Sequence, residues 1–194
     1  IDEWRAAGNG ILQSNVQPGD VRFVDRNHDG QINDKDKVNL GNGTPDFTLG
    51  LNLGFVYKGF DFSIVANGAF GQQIVQSYRN HTRPTPNYTT AILDRWHGEG
   101  TSNRIPRVTD SNINYQFSDL FIQNGDYLRL STLTLGYDFA KLFKGKAVSQ
   151  ARLYFQVQNL FTITGYDGMD PEIGFGSSNN SWVSGLDYGY YPRP

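Results

Sequence analysis

The stretch Asp46-Phe-Thr-Leu-Gly-Leu-Asn-Leu-Gly-Phe-Val-Tyr57 alternates apolar and polar side chains along its whole length. Its odd positions are all apolar or aromatic: Phe47, Leu49, Leu51, Leu53, Phe55 and Tyr57. The even positions are nearly all small or polar. A strict period of two predicts a β-strand with one apolar face. The stretch is longer than the mean soluble strand of about 5–6 residues and fits the about 9–11 residues with which a strand crosses a bilayer.

Three further segments alternate in a similar way, residues 60–70, 127–139 and 151–161. Only Lys58-Gly59 separates the first two strands, so they are predicted to form a tight hairpin. In the third segment, Leu128 and Leu130 break the alternation because they fall on the otherwise polar side. Alternation of this kind is equally typical of a half-buried antiparallel sheet in a soluble protein.

The lengths of the connections favour a membrane barrel over a soluble sheet. The two strand pairs are closed by two residues and by about a dozen (140–150), whereas residues 71–126 and the tail after residue 161 are long. Outer-membrane barrels alternate short periplasmic turns with longer extracellular loops, and long loops are uncommon in compact soluble domains. We therefore predict an all-β fold, an antiparallel transmembrane β-barrel segment with about four long strands and long external loops. We expect these strands to form an incomplete barrel. Residues before 45, 71–126 and after 161 are expected outside the cell.

The composition agrees with strands and turns and excludes several classes of protein. Aromatic residues make up 14% of the chain, and there are 22 Gly and no Cys. The net charge of −2 supplies no basic excess for nucleic acid, and the absence of Cys excludes a disulfide scaffold. The chain contains no run of about 18 apolar residues, so no membrane-spanning helix is predicted. Barrel strands alternate apolar and polar residues and span a bilayer without such a run.

One loop matches the pattern of a calcium-binding loop. Residues 25–36 read Asp-Arg-Asn-His-Asp-Gly-Gln-Ile-Asn-Asp-Lys-Asp, with Gly30 at the sixth position, where such a loop turns sharply. We predict a calcium site whose ligands are Asp25, Asn27, Asp29, Gln31 (through its backbone carbonyl), Asn33 and Asp36. Asp36 stands where an EF-hand has a longer, bidentate Glu, which leaves the affinity open.

A different interpretation of the same loop is an Asn-, Asp- and Gly-rich surface turn held by its own side-chain hydrogen bonds. No amphipathic helices flank it, as they would in a switching EF-hand. If calcium binds, we expect a structural clamp on an external loop.

No constellation of residues predicts catalysis. The three histidines, His28, His81 and His97, are scattered, and no nucleophile elbow, P-loop or His-Glu-x-x-His motif is present. Asp170 and Glu172 lie beside Pro171, where we expect solvated or turn-forming carboxylates. The chain is therefore not expected to be an enzyme.

Several runs together resemble the TonB-linked outer-membrane transporters of the SusC/RagA type. They cover most of the chain and occur in the family's order: Pro18-Gly-Asp-Val-Arg-Phe-Val-Asp25, Gly41-Asn-Gly-Thr-Pro-Asp-Phe-Thr-Leu-Gly50, Tyr127-Leu-Arg-Leu-Ser-Thr-Leu-Thr-Leu-Gly-Tyr137, Gln158-Asn-Leu-Phe161, Gly165-Tyr-Asp-Gly-Met-Asp-Pro-Glu172 and Asp187-Tyr-Gly-Tyr-Tyr-Pro192.

This resemblance implies properties that alternation does not show. The whole protein would be a bacterial outer-membrane barrel of about 22 strands that imports glycans or peptides, powered through TonB. A SusD-like surface lipoprotein would cover its external loops. Residues 1–194 would be the C-terminal part of that barrel, without the N-terminal plug domain and the final strand. Its apolar strand faces would contact outer-membrane lipid.

Two functions of different classes remain open. The chain is either part of such a transporter, or a soluble calcium-dependent β module for adhesion or carbohydrate binding. The apolar row of residues 46–57 distinguishes them. It faces lipid and is exposed in a transporter, but a soluble module buries it under a second layer.

Overall fold

The structure, a computed structural model, describes residues 13–77, 90–141, 151–172 and 184–187. The chain forms two compact units. One comprises Ile1–Leu40 and Tyr78–Phe121, and we call it the loop unit. The other comprises Gly41–Ser77 and Ile122–Pro194, and we call it the sheet unit.

The strands that the structure describes in the sheet unit belong to two sheets. They are β1 (Phe47–Tyr57), β2 (Phe60–Phe70), β3 (Gln73–Gln76), β4 (Ile122–Asn124), β5 (Tyr127–Asp138), β6 (Arg152–Thr164) and β7 (Leu186–Asp187). The larger sheet is antiparallel, in the order β1-β2-β5-β6. All four predicted strands are therefore confirmed, and the fourth extends three residues beyond its predicted end. The sheet is open at β1 and β6 within the described part of the chain, as an incomplete barrel requires.

The predicted hairpin joins β1 and β2. Tyr57 lies opposite Phe60, and the pairing runs without a shift to Phe47 opposite Phe70. Lys58 and Gly59 between them have φ angles of 50° and 95°. Positive φ at both central residues is the condition for the type I′ turn, whose twist matches that of the two strands.

A β-bulge in β5 explains the irregular alternation of the third predicted segment. Thr132 pairs with Val65, and Leu130 pairs with Ala66, so Ser131 is an extra residue against β2. Because one residue is inserted, side chains an even number of positions apart point to opposite faces when the bulge lies between them. The expectation that Leu128 and Leu130 lie on the polar side is wrong, since the insertion returns both to the apolar side.

The pairing register separates the large sheet into two faces, because directly opposed residues point to the same side. The apolar face consists of Phe47, Leu49, Leu51, Leu53, Phe55, Tyr57, Phe60, Phe62, Ile64, Ala66, Leu128, Leu130, Leu133, Leu135, Tyr137, Leu153, Phe155, Val157, Phe161 and Ile163. The polar face includes Asn52, Asp61, Asn67, Arg129, Thr132, Thr134, Arg152, Gln156, Gln158 and Thr162.

The smaller sheet, in the order β4-β3-β7, was not predicted. β3 pairs antiparallel with β4 and parallel with β7. These strands contain four, three and two residues, and such short segments hold too few positions for alternation to be visible. They lie inside the connection 71–126 and the tail that we expected to be loops.

The loop unit contains short 3-10 helices, at Asp34–Asp36, Thr90–Asp94, Asn112–Tyr115 and Asp119–Phe121. No helix in the described ranges is long and apolar enough to cross a membrane.

Polar contacts hold the loop unit together around Asp20. The Arg107 guanidinium donates two hydrogen bonds to the Asp20 carboxylate, at 2.7 and 3.2 Å, and Asn114 Nδ2 donates a third at 3.0 Å. The Val21 N–H donates to Asn114 Oδ1, and the Arg107 N–H to the Gly19 carbonyl.

Candidate functional site

The apolar face is exposed. Phe47, Leu53 and Phe55 retain 59%, 53% and 62% of their accessible surface, and the outward residues of β6 are similarly open. Soluble proteins rarely leave an apolar patch of this extent uncovered. Within the described residues, the row on β1 is therefore not buried under a second layer, which contradicts the expectation for a soluble module.

Aromatic rings cluster on the apolar face at the end nearest the β1–β2 turn. Phe60 and Tyr137 have ring centroids 4.4 Å apart, and Tyr137 meets Phe139 edge-on at 4.7 Å. Lys58 Nζ lies 5.2 Å from the centroid of the Tyr57 ring. Aromatic girdles of this kind mark the level of the lipid headgroups in outer-membrane barrels.

The polar face carries an ion pair across three strands near the same turn. Asp61 of β2 and Arg152 of β6 are joined by two hydrogen bonds, of 2.9 and 2.5 Å. They meet above Gly136 of β5, where an added Cβ would clash with the Asp61 carboxylate. A side chain at position 136 would therefore displace the ion pair.

A second charged group occupies the other end of the polar face. Arg129 of β5 donates to Asp170 and to Glu172, both at 2.6 Å, and to Thr162 Oγ1 at 2.9 Å. Asp170 Oδ1 also accepts the Glu172 N–H at 2.8 Å, as expected of a turn-forming carboxylate, but the pairing of both carboxylates with Arg129 was not predicted. Sequence reasoning missed the pairing because Arg129 lies on a strand far from residues 170–172 in the chain, and no motif links them.

The predicted calcium loop is folded by hydrogen bonds from its own backbone. Gly30 N–H donates to Asp25 Oδ2 at 2.9 Å, Asp29 N–H to Asn27 Oδ1 at 3.0 Å, and Gln31 N–H to Asp29 Oδ1 at 2.9 Å. Gly30 has φ of 80°, as the predicted sharp turn requires. This arrangement is compatible with both interpretations of the loop.

Asp36 closes the loop. Its two carboxylate oxygens accept the N–H groups of Arg26 at 2.9 Å and Asn33 at 2.8 Å. The hydrogen bond from the Asn33 N–H holds the pKa of Asp36 below its usual value. Asn33 caps the 3-10 helix Asp34–Asp36 through its side-chain oxygen, which accepts the Lys35 N–H.

The fit of this loop to a cation is partial. Among the described residues, no three acidic or histidine side chains are grouped in a way that could hold a metal ion. One atom, however, lacks a partner: Asp25 Oδ1 is buried and accepts no hydrogen bond. A buried carboxylate oxygen without a donor is costly, and a calcium ion would satisfy it.

Relatives of known type match the chain over nearly its whole length. TonB-dependent receptor P3 of Formosa agariphila is 34% identical over 197 residues, covering 96% of this chain. TonB-dependent receptor SusC of Bacteroides thetaiotaomicron is 30% identical over 185 residues, covering 94%. The chain belongs to the SusC/RagA-type TonB-dependent receptors. No protein-family model matches it.

Solved structures show the same fold as this SusC/RagA-type chain. The RagAB peptide transporter matches with a TM-score of 0.64 at 24% identity, over 84% of this chain and 18% of that one. The RagAB peptide importer in the open-open state matches with a TM-score of 0.58 over 77% of this chain. The predicted fold, a segment of a transmembrane barrel, is thus confirmed.

The chain spans about a fifth of the length of these relatives, 19% for receptor P3 and 17% for SusC. All the relatives named are receptors, transporters or importers, which agrees with a chain that is not an enzyme. The loop Asp25–Asp36 and its six predicted ligands stay a prediction. His81 lies outside the described residues, and His28 and His97 belong to no metal-binding group among them.

Proposed function

We propose that the chain is part of a bacterial outer-membrane transporter that imports oligosaccharides or peptides, driven through TonB. The observation that carries this proposal is the pair of opposed faces on one four-stranded sheet. An exposed apolar face backed by a charged and hydroxyl-rich one suits a wall between lipid and a water-filled channel. The four strands are 11, 11, 12 and 13 residues long, long enough to span the hydrocarbon core.

The SusD-like surface lipoprotein, the TonB coupling and the substrate classes are part of this proposal. They are supported by the relatives, because one sequence match is named SusC and one structural match is the RagAB peptide transporter. The proposed orientation places the Lys58-Gly59 turn on the periplasmic side. Residues 71–126 and those after β6 then lie outside the cell, where a lipoprotein would contact them.

Uptake by the full-length transporter tests the proposal. Cells expressing it would be given a fluorescent malto-oligosaccharide or a fluorescent decapeptide, with and without a functional TonB system. We expect the protein in the outer-membrane fraction and TonB-dependent accumulation of one of the two probes. Recovery of the protein in a soluble fraction, or uptake of neither probe, would contradict the proposal.

We also propose that the loop 25–36 binds calcium as a structural clamp. Asp25, Asn27, Asp29, Asn33 and Asp36 would supply side-chain oxygens, and Gln31 its carbonyl. Asp25 Oδ1, buried and without a donor, is the observation that favours an ion over a turn closed by hydrogen bonds alone. Bound calcium would link loop positions that the backbone hydrogen bonds already bring near one another.

Thermal unfolding of the full-length protein in calcium and in chelator tests this clamp. Ligand binding stabilises the folded state in proportion to its saturation, so wild type should unfold at a higher temperature in calcium. Asp25→Ala and Asp29→Ala should lose that difference. Asp34→Ala is the matched control, because Asp34 lies in the same loop at a non-ligand position. Equal stability of wild type in calcium and chelator would exclude the clamp.

A further inference from the structure

Residues 165–172, which follow β6, return across the polar face of the large sheet, and we call them the strap. Arg129 lies on that face, opposite Asn67 on one side and Thr162 on the other. Its guanidinium reaches Asp170 and Glu172 of the strap. The strap therefore stands on the polar side of the sheet and not on the apolar one.

The strap is anchored at both ends. At one end Tyr166 is buried, and its hydroxyl donates to the Asp187 carboxylate. At the other end the Pro171 carbonyl accepts a hydrogen bond from Gln72 Nε2 at 3.3 Å. Between the anchors, the Met169 side chain keeps 49% of its surface exposed.

A cleft separates the middle of the strap from the sheet. Its volume is about 300 Å³, and Asn159, Thr162, Met169 and Asp170 line it together with Arg129. The middle of the strap is therefore set off from the strands across this cleft. Near Asp170 and Glu172, charge pairing with Arg129 attaches the strap to the sheet.

The Arg129 side chain is held in the orientation that this pairing needs. It is 14% exposed. Its Nε donates to Thr162 Oγ1 at 2.9 Å, and its guanidinium carbon lies 5.7 Å from the centroid of the Tyr127 ring. A planar guanidinium fixed in this way presents its remaining donors to two carboxylates at once. Without it, the Asp170 and Glu172 carboxylates would face each other without a counter-charge.

We propose that the strap is a constriction of the transport channel and that Arg129 is the positioning residue that holds it across the polar face. The inference rests on the proposed function, because the polar face lines a channel only in a transporter. It adds that the width of the channel beside β5 and β6 depends on the Arg129 ion pairs. Moving the strap off the face would widen that passage.

The test uses the full-length transporter in the outer membrane and the variant Arg129→Gln, which removes the charge and keeps a polar side chain. Hydrogen exchange of the strap amides reports its position, and sensitivity of the cells to vancomycin, a large hydrophilic antibiotic, reports the passage. We expect exchange faster by at least roughly tenfold, because the variant loses charged hydrogen bonds to two carboxylates, and a lower inhibitory concentration. Arg129→Lys, which keeps the charge, should restore part of both.

Arg152→Gln is the matched control. It breaks the ion pair with Asp61, which lies on the same face at the opposite end of the strands. Strap exchange and vancomycin sensitivity should stay at their wild-type values. Unchanged strap exchange in Arg129→Gln would overturn the positioning role. Faster exchange with unchanged sensitivity would overturn the constriction.

These failures are distinct from failure of the proposed function. The latter shows in the wild-type protein, as absence from the outer-membrane fraction or as uptake that does not need TonB. A wild type that passes both checks, with an Arg129→Gln variant that behaves like it, would leave the transporter intact and remove the strap proposal alone.

Discussion

The sheet unit and the loop unit are stabilised in different ways. In the large sheet, a continuous ladder of backbone hydrogen bonds joins four strands, and the side chains separate into two faces. In the loop unit, side chains take the place of the ladder: Asp20, Arg107 and Asn114 bind one another and the backbone of distant segments. A backbone ladder accommodates many different side chains, but polar and apolar residues must alternate correctly along each strand. A polar cluster tolerates irregular backbone but depends on a few particular residues.

The largest expected effect comes from breaking the alternation itself. Deleting Thr134 moves the part of β5 that precedes it, residues 127–133, by one position towards the C-terminal end of the strand. This turns Leu133 to the polar face and Arg129 to the lipid side. Arg129 lies near one end of β5, where an arginine on the lipid face costs less than the about 2–4 kcal/mol of the bilayer midplane, but several misplaced side chains along the strand add to this cost. We expect the full-length protein to be lost from the outer membrane, measured by fractionation and heat-modifiable mobility.

Deletion of Ser131 is the control for that change. Ser131 is the extra residue against β2, so its removal leaves Leu130 next to Thr132 in regular alternation, with both on their original faces. Against β6 the deletion leaves Asn159 and Leu160 without an opposing residue. Outer-membrane assembly should persist at the cost of the local contact between the Ser131 hydroxyl and Asn67. Equal loss of assembly in both deletions would show that strand length, and not alternation, is what the sheet requires.

A smaller effect is expected from a single substitution on one face. Leu51→Arg places a charge on the exposed apolar face and should destabilise the protein in lipid by about 2–4 kcal/mol. Asn52→Arg, at the neighbouring position on the polar face, should cost much less. Unfolding in urea of protein reconstituted in lipid vesicles measures both. Similar losses for the two variants would contradict the assignment of the apolar face to lipid.

The separation in sequence between interacting residues determines what sequence analysis could predict, in both units. The alternation of Phe47 to Tyr57 is local, so the strands and the Lys58-Gly59 turn were predicted from neighbouring residues alone. The Ser131 bulge was visible only as an irregularity, because its cause is the register against β2. Glu172 lies 43 positions after its partner Arg129, and Arg107 lies 87 positions after its partner Asp20. No local pattern connects such partners. The small sheet of β3, β4 and β7 was missed because its strands are too short for alternation to be visible.

Asp20→Asn tests the dependence of the loop unit on a few residues. The Asp20 side chain is 1% exposed, and loss of its charge weakens two hydrogen bonds from Arg107. Such charged hydrogen bonds contribute about 1.5–3 kcal/mol, so we expect faster hydrogen exchange in residues 17–23 and 104–114. Asp34→Asn is the matched control. Asp34 forms an ion pair with Lys37, and the two side chains are 91% and 78% exposed. An exposed pair contributes little, and exchange should not change.

The smallest expected effect is a dependence of the loop unit on pH. Burial raises the pKa of Asp20, but the hydrogen bonds from Arg107, the Gln17 N–H and Asn114 outweigh it, and the pKa is lowered below the usual value of 3.8. A lowered folded-state pKa adds stability above the unfolded-state pKa, and this stability is lost as pH falls through the folded-state value. Protection of residues 17–23, corrected for intrinsic exchange, should therefore be constant down to about pH 5 and fall below pH 4. Asp20→Asn should lack this component of the fall. The part of the large sheet in which residues 48–53 of β1 pair with residues 64–69 of β2 contains no titrating side chain, so a parallel fall in exchange protection there would show that the two units do not differ in this way.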